Sequence, residues 1–161
     1  MIKIESHSGV YTLQAEQTLP VTAEQAWEFF SSPANLGRIT PSEMGFVITS
    51  PPAARMFPGQ IITYRVGIFP GVKTNWVTEI THVETGRYFV DEQRSGPYRI
   101  WHHEHHFKVV EGGVAMIDRV TYKLPFGVMG KWVHSLFVRR KLEAIFNYRA
   151  RVIEEYFSSL S

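Results

Sequence analysis

The stretch Trp101-His102-His103-Glu104-His105-His106-Phe107 decides how this chain is read. A β-strand sends successive side chains to opposite faces. Trp101, His103, His105 and Phe107 then share one face. Ile100, His102, Glu104, His106 and Lys108 share the other. The second set reads as a solvent face. The first mixes large aromatics with two imidazoles, which is odd for a solid core and ordinary for the lining of a cavity.

Working outward, Gly112-Gly113 predicts a two-residue hairpin loop. Val114–Leu124 then returns as a strand, with Val114, Met116, Asp118, Val120, Tyr122 and Leu124 in one phase. With Glu111 facing Val114, the pairing predicts Phe107 opposite Asp118, His105 opposite Val120 and His103 opposite Tyr122. His105 and Asp118 become diagonal neighbours, their Cα atoms about 7–8 Å apart. Asp118 is the only carboxylate on this two-strand face, and a buried carboxylate needs a partner. His105 is the expected one. Burial and the carboxylate pull its pKa in opposite directions.

Tyr11, Leu13, Ala15, Gln17 and Leu19 alternate with polar residues and predict a half-buried strand ended by Pro20. Thr22 and Gln25 have capping-box spacing and open a short helix carrying Ala23, Ala26, Trp27 and Phe30. Ser32-Pro33 opens a second short helix, closed by Thr40-Pro41. Further strands are predicted at Phe46–Thr49, Gln60–Ile68, Lys73–Val83, Tyr88–Arg94 and Tyr98–Val110. In these, Trp76, Thr78, Ile80 and His82 share one phase, as do Phe89, Asp91 and Gln93. From Val128 to Leu160 the period becomes helical, which predicts a rod of about 45 Å.

The totals set bounds. The chain has 161 residues, expected to form a single domain over 1–161. It has no cysteine, which excludes disulfides and thiolate chemistry. Net charge is +2, too mild to point to nucleic acid. The opening residues, with Lys3, Glu5 and His7, do not resemble a signal peptide. No apolar run reaches the ~18 residues of a membrane span. A cytoplasmic protein is expected. Nucleotide loops, nucleophile elbows and zinc-helix motifs are missing from the sequence.

The element order is strand, two short helices, six strands and a long helix. Together with the turn Gly96-Pro97-Tyr98, the Trp-x-His-x-His-x-Phe strand and the Asp118-Arg-Val-x-Tyr122 strand, it resembles the SRPBCC superfamily. This group includes START lipid-transfer domains, the major pollen allergens and polyketide cyclases/dehydratases. The likeness runs from about Tyr11 to Tyr156 and is greatest to bacterial stand-alone ligand-binding members. It implies an α+β helix-grip fold: a curved antiparallel sheet of about seven strands around the C-terminal helix, with an apolar cavity between them.

On this reading the expected lining is Trp76, Phe89, Gln93, Trp101, His103, His105, Phe107, Asp118, Tyr122, Leu142, Ile145, Phe146 and Arg149. The two short helices and the loop from Pro51 to Pro58 are expected at the mouth. The imidazoles admit several roles: a hydrogen-bonded polar layer, orientation of a ligand, or chemistry. The leading expectation is a non-catalytic binder of a small hydrophobic ligand such as a lipid, quinone or aromatic polyketide. The alternative is a cofactor-free cyclase or dehydratase in which His105 acts as base, Asp118 orients it and Tyr122 polarises a carbonyl. Neither a cofactor nor a metal is expected. Although His-x-His with Asp118 has chelating potential, Trp101 and Phe107 are expected to crowd it. Arg149 is expected to snorkel outward or to meet a ligand carboxylate. Trp132, Phe137 and the run Arg139-Arg140-Lys141 are the candidates for contact with an anionic membrane.

Overall fold

In the computed structural model, residues 2–69, 72–125, 127 and 137–159 are described. The strands are β1 (Ile2–His7), β2 (Val10–Leu19), β3 (Val47–Ile48), β4 (Gln60–Phe69), β5 (Val72–Glu84), β6 (Tyr88–Ser95), β7 (Ile100–Val110) and β8 (Gly113–Lys123). They form one antiparallel sheet in the order β1-β2-β8-β7-β6-β5-β4-β3. Helix α1 (Ala23–Phe30), a 3-10 helix at Pro33–Gly37 and another at Ser42–Met44 link β2 to β3. Helix α2 (Arg139–Ser158) lies against the inner face of the sheet. This is a helix-grip fold of the α+β class. None of the described helices is long and apolar enough to cross a membrane.

The eighth strand is β1, which the sequence reading left out. Only Ile2 and Ile4 alternate there, too few to register as a period. Ser8 (φ 53°) and Gly9 (φ 75°) both adopt left-handed backbone, and this turn folds β1 onto β2 with Ile2 opposite Ala15. Helix α1 begins as expected: Gln25 N–H donates to Thr22 Oγ1, and Thr22 N–H donates to Gln25 Oε1. Residues 128–136 and 160, where the long helix was expected to begin and end, lie outside the described residues. Within α2, Leu142, Phe146, Arg149, Ile153 and Phe157 recur every three or four residues and form the buried stripe.

The β7–β8 hairpin turns at Glu111-Gly112, with Val110 opposite Gly113. The pairing is therefore two residues off the expected one. His105 faces Asp118 directly, His103 faces Val120 and Trp101 faces Tyr122. A slip of two leaves every side chain on its expected face. Only glycine fits at Gly113, the first residue of β8, because a Cβ there would lie 2.0 Å from the Leu19 carbonyl oxygen. In β5, a bulge between Ile80 and His82 breaks the phase. Trp76, Thr78 and Ile80 point inward, whereas His82 is exposed.

Apolar clusters join the sheet to the helices. One joins Trp27, Phe29 and Phe30 of α1 to Phe89, Phe107, Val114, Ile153 and Phe157. Another joins Tyr11, Leu13, Val120 and Tyr122 to Val138, Leu142 and Phe146. A third, of Met44, Val66 and Trp76, packs against Ile145 of α2.

Candidate functional site: a cavity ending in a buried charge cluster

Between the sheet and α2 lies a cavity of about 190 Å³. That is room for on the order of ten waters. Its walls are mostly apolar: Phe29, Phe30, Leu36, Ile39 and Met44 from the α1 region, Ile62, Val66, Trp76 and Ile80 from β4 and β5, and Leu142, Ile145 and Phe146 from α2. Exposed Phe137 and half-buried Lys141 also line it. Of the loop 51–58, Met56 reaches the lining.

One end of the cavity is ionic. Trp101, His103 and His105 line it from β7, Phe89 and Asp91 from β6, and Arg149 from α2. His105 Nε2 lies 2.9 Å from Asp91 Oδ2, and its Nδ1 lies 2.8 Å from Asp118 Oδ1. His103 Nε2 lies 3.1 Å from Asp118 Oδ1, and its Nδ1 lies 3.5 Å from Asp91 Oδ2. The two rings are 3.7 Å apart at their centroids. Phe89 stacks on His105 at 4.1 Å, and Trp101 meets His103 edge-on at 6.2 Å. Each imidazole thus spans two carboxylates, Asp91 on the cavity side and Asp118 behind. Arg149 turns inward rather than snorkelling out, and its Nη2 lies 3.4 Å from Asp118 Oδ1.

Charge neutrality assigns the protonation pattern. Burial opposes ionisation of Asp118, but Arg149 and the hydrogen bonds from His103 and His105 hold it well below the usual carboxylate range. Burial likewise opposes ionisation of Asp91, and positive charge on His103, with the hydrogen bond from His105, lowers its pKa. Two carboxylates against one guanidinium leave one negative charge uncompensated. Burial disfavours the charged form of both imidazoles. At His105 the hydrogen bonds to Asp118 and Asp91 overcome it and the pKa rises. At His103 burial, reinforced by the His105 charge, prevails and the pKa falls. One imidazolium would balance the cluster, and the opposite shifts make His105 rather than His103 the favoured place for it.

Among the expected lining residues, Trp76, Phe89, Trp101, His103, His105, Leu142, Ile145, Phe146 and Arg149 face this cavity. Gln93, Phe107, Asp118 and Tyr122 do not. Gln93 clamps the β6–β7 connection, donating to the Tyr98 carbonyl (2.6 Å) and accepting from Tyr98 N–H (3.2 Å). Phe107 packs against Trp27 and Phe30. Tyr122 is fully buried, stacked on Tyr11, and burial raises its pKa. Asp118 borders a smaller recess on the β1–β2 side, with Ile2, Ala15 and Gln17.

Asp91 is the residue that sequence reasoning missed. It stands directly opposite His103 in the β6–β7 pairing. Its shared phase with Phe89 was visible, but the pairing of β6 with β7 was not. Tyr64 and Tyr98 are the phenols that face the cavity, and burial raises the pKa of both. The Nε atoms of Trp76 and Arg149 (Nε1 and Nε respectively) are buried with no hydrogen-bond partner among the described residues. Trp132 lies outside the described residues, and Arg139 is paired with Glu143 at 3.0 Å.

Several solved structures share this architecture. A protein from Thermus thermophilus superposes with a TM-score of 0.71 at 15% identity, covering 93% of this chain and 99% of its own. Ara h 8.0201 superposes with a TM-score of 0.62 at 18% identity, covering 94% and 99%. Major latex-like protein 151 of Panax ginseng gives a TM-score of 0.67 at 12% identity, covering 92% and 97%. At these identities the likeness establishes the fold. No family model and no curated protein sequence matches the chain.

Proposed function

We propose that the chain binds a small hydrophobic or amphipathic molecule in the cavity between sheet and α2, with the polar end of the ligand against His103, His105, Asp91 and Arg149. The observation that carries this reading is an apolar-walled space that ends in a buried, charge-balanced cluster. Core imidazoles that serve packing alone have no need of an open space beside them. The orphaned Trp76 Nε1 and Arg149 Nε supply further donors for a polar group on the ligand. The lipid, quinone or aromatic polyketide class fits such a lining.

The test is saturable binding of 8-anilinonaphthalene-1-sulfonate to delipidated protein, followed by displacement with fatty acids, quinones and polyhydroxylated aromatics. Saturation by the dye, displacement by one class and loss of that class's affinity in Arg149→Met support the reading. Failure to saturate overturns it.

The second reading is a cofactor-free cyclase or dehydratase, and one observation redirects it. His103, with Nε2 held by Asp118, has its pKa lowered and His105 has its pKa raised, so this reading gives the base to His103 and the acid to His105. Tyr64 or Tyr98 takes the carbonyl-polarising role expected of Tyr122. Turnover of a poly-β-ketone analogue that survives His103→Gln would eliminate this reading.

A further inference from the structure

We propose that Asp91, His103 and His105 form a binding site for one divalent transition-metal ion, its open coordination positions facing the cavity. One donor atom from each residue lies within 4.8 Å of the others. Asp91 Oδ2 is 2.9 Å from His105 Nε2 and 3.5 Å from His103 Nδ1. Metal–ligand bonds of about 2.0–2.1 Å in tetrahedral geometry set donor atoms about 3.3 Å apart. The two separations from Asp91 bracket that value, and the two imidazole nitrogens lie within 4.8 Å of each other.

Asp118 supplies an independent argument. Metal-bound histidines characteristically donate the other ring N–H to a carboxylate, which fixes the tautomer and the ring plane. Here one Asp118 oxygen pairs with His103 Nε2 at 3.1 Å and lies 2.8 Å from His105 Nδ1, which Arg149 Nη2 also approaches at 3.4 Å. With protons on those two nitrogens, an ion that displaces the proton shared by His105 Nε2 and Asp91 meets the remaining ring nitrogens, His105 Nε2 and His103 Nδ1, at 2.9 and 3.5 Å from Asp91 Oδ2. Arg149 beside Asp118 keeps that carboxylate an acceptor.

The expected obstacles lie elsewhere. Phe107 packs toward α1, and Trp101 meets the ligand ring of His103 only edge-on, with centroids 6.2 Å apart. Two neutral imidazoles and one carboxylate suit zinc, iron(II) or cobalt(II), and leave at least one position open. That position faces the cavity, because Asp91 lines it whereas Asp118 does not. An ion of charge 2+, two carboxylates and one guanidinium sum to +1. The open position therefore favours an anionic oxygen: hydroxide, a carboxylate, a phenolate or the enolate of a 1,3-dicarbonyl.

Metal binding stands without the ligand-binding reading, and its test uses no organic ligand. The full-length protein is stripped with a chelator, freed of it by dialysis and titrated with cobalt(II) followed by visible absorption, then with zinc by calorimetry. The expected result is one ion per chain, with the intense visible bands of four- or five-coordinate cobalt. Asp91→Asn, His103→Gln and His105→Gln should each weaken cobalt at least tenfold. Asp118→Asn should weaken it about 10–100-fold. His102→Gln and His106→Gln should leave it unchanged, since these rings face the other side with Glu92 and Glu104.

Failure of the wild-type protein to take up cobalt saturably overturns the site, whatever the variants' folding. So does loss of binding only in the His102 or His106 variants. Dye binding by a chain that takes no cobalt removes the metal and keeps the cavity. Cobalt binding by a chain that takes no dye does the reverse.

Discussion

At the scale of single residues, the metal-free cluster behaves as a unit with one mobile charge. His105 has a raised pKa, so its contribution is fully present below the unfolded value near 6.5 and is lost as pH climbs through its folded value. His103 has a lowered pKa. It is neutral in the fold where the unfolded chain would be protonated, so it costs stability below pH 6.5 and the cost vanishes as pH rises toward 6.5. Lowered Asp91 and Asp118 add a further loss at acid pH. The groups facing these rings are Asp91 from β6, Asp118 from β8 and Arg149 from α2. Urea denaturation of metal-free protein should therefore show maximal stability near pH 6.5, falling on both sides. His105→Gln should flatten the alkaline limb. An alkaline limb unchanged in that variant contradicts the assignment.

Arg149 can be weighed at the same scale. Removing one partner from a buried ion pair costs about 3–5 kcal/mol, because the remaining charge stays buried. Arg149→Met should destabilise by that order at neutral pH in the metal-free protein, and less at pH 5, where His103 can take up the missing positive charge. Equal losses at both pH values would show that Arg149 acts through packing alone.

At the scale of elements, alternation made β2, β5, β6, β7 and β8 readable, along with the inward set Trp101, His103, His105. Register was less accessible. The Gly112-Gly113 pair admits more than one loop placement, and the choice rests on Gly113 pressing against Leu19, a contact between residues far apart in sequence. The same limit hid Asp91, whose place beside His103 depends on how β6 meets β7. Gln93, in the same phase, sits near the strand end and spends both amide atoms on Tyr98. Alternation assigns a face, and tertiary contact assigns the neighbour. Gly113→Ala should cost about 2–4 kcal/mol, because the new Cβ meets the Leu19 carbonyl on a backbone at φ +146° that L residues rarely adopt. Gly86→Ala, at φ +77° with nothing within 4 Å of the new Cβ, should cost about 1–2 kcal/mol from backbone strain alone. Thermal denaturation of the pair ranks the two, and the opposite ranking would remove the packing argument.

At the scale of the whole molecule, the cavity separates the sheet from α2. Ile80, nearly fully buried on β5, points into it. Ile80→Phe should fill part of the space, leave the midpoint of thermal unfolding unchanged or raise stability by about 1 kcal/mol, and abolish dye binding. A drop of several kcal/mol would mean that the region is already filled. The general shape followed from the order of elements in the sequence. The depth of the cavity did not, since it depends on how far α2 stands off the sheet.

The primary structure divides the labour. Every ionisable member of the cluster lies between Asp91 and Arg149. Much of the wall opposite, from Phe29 to Ile80, comes from earlier in the chain. Changes in the first half can thus reshape much of the cavity wall while the charge cluster in the second half stays untouched. Homologues with unrelated cargoes and one shared set of polar residues would be the natural outcome of that layout.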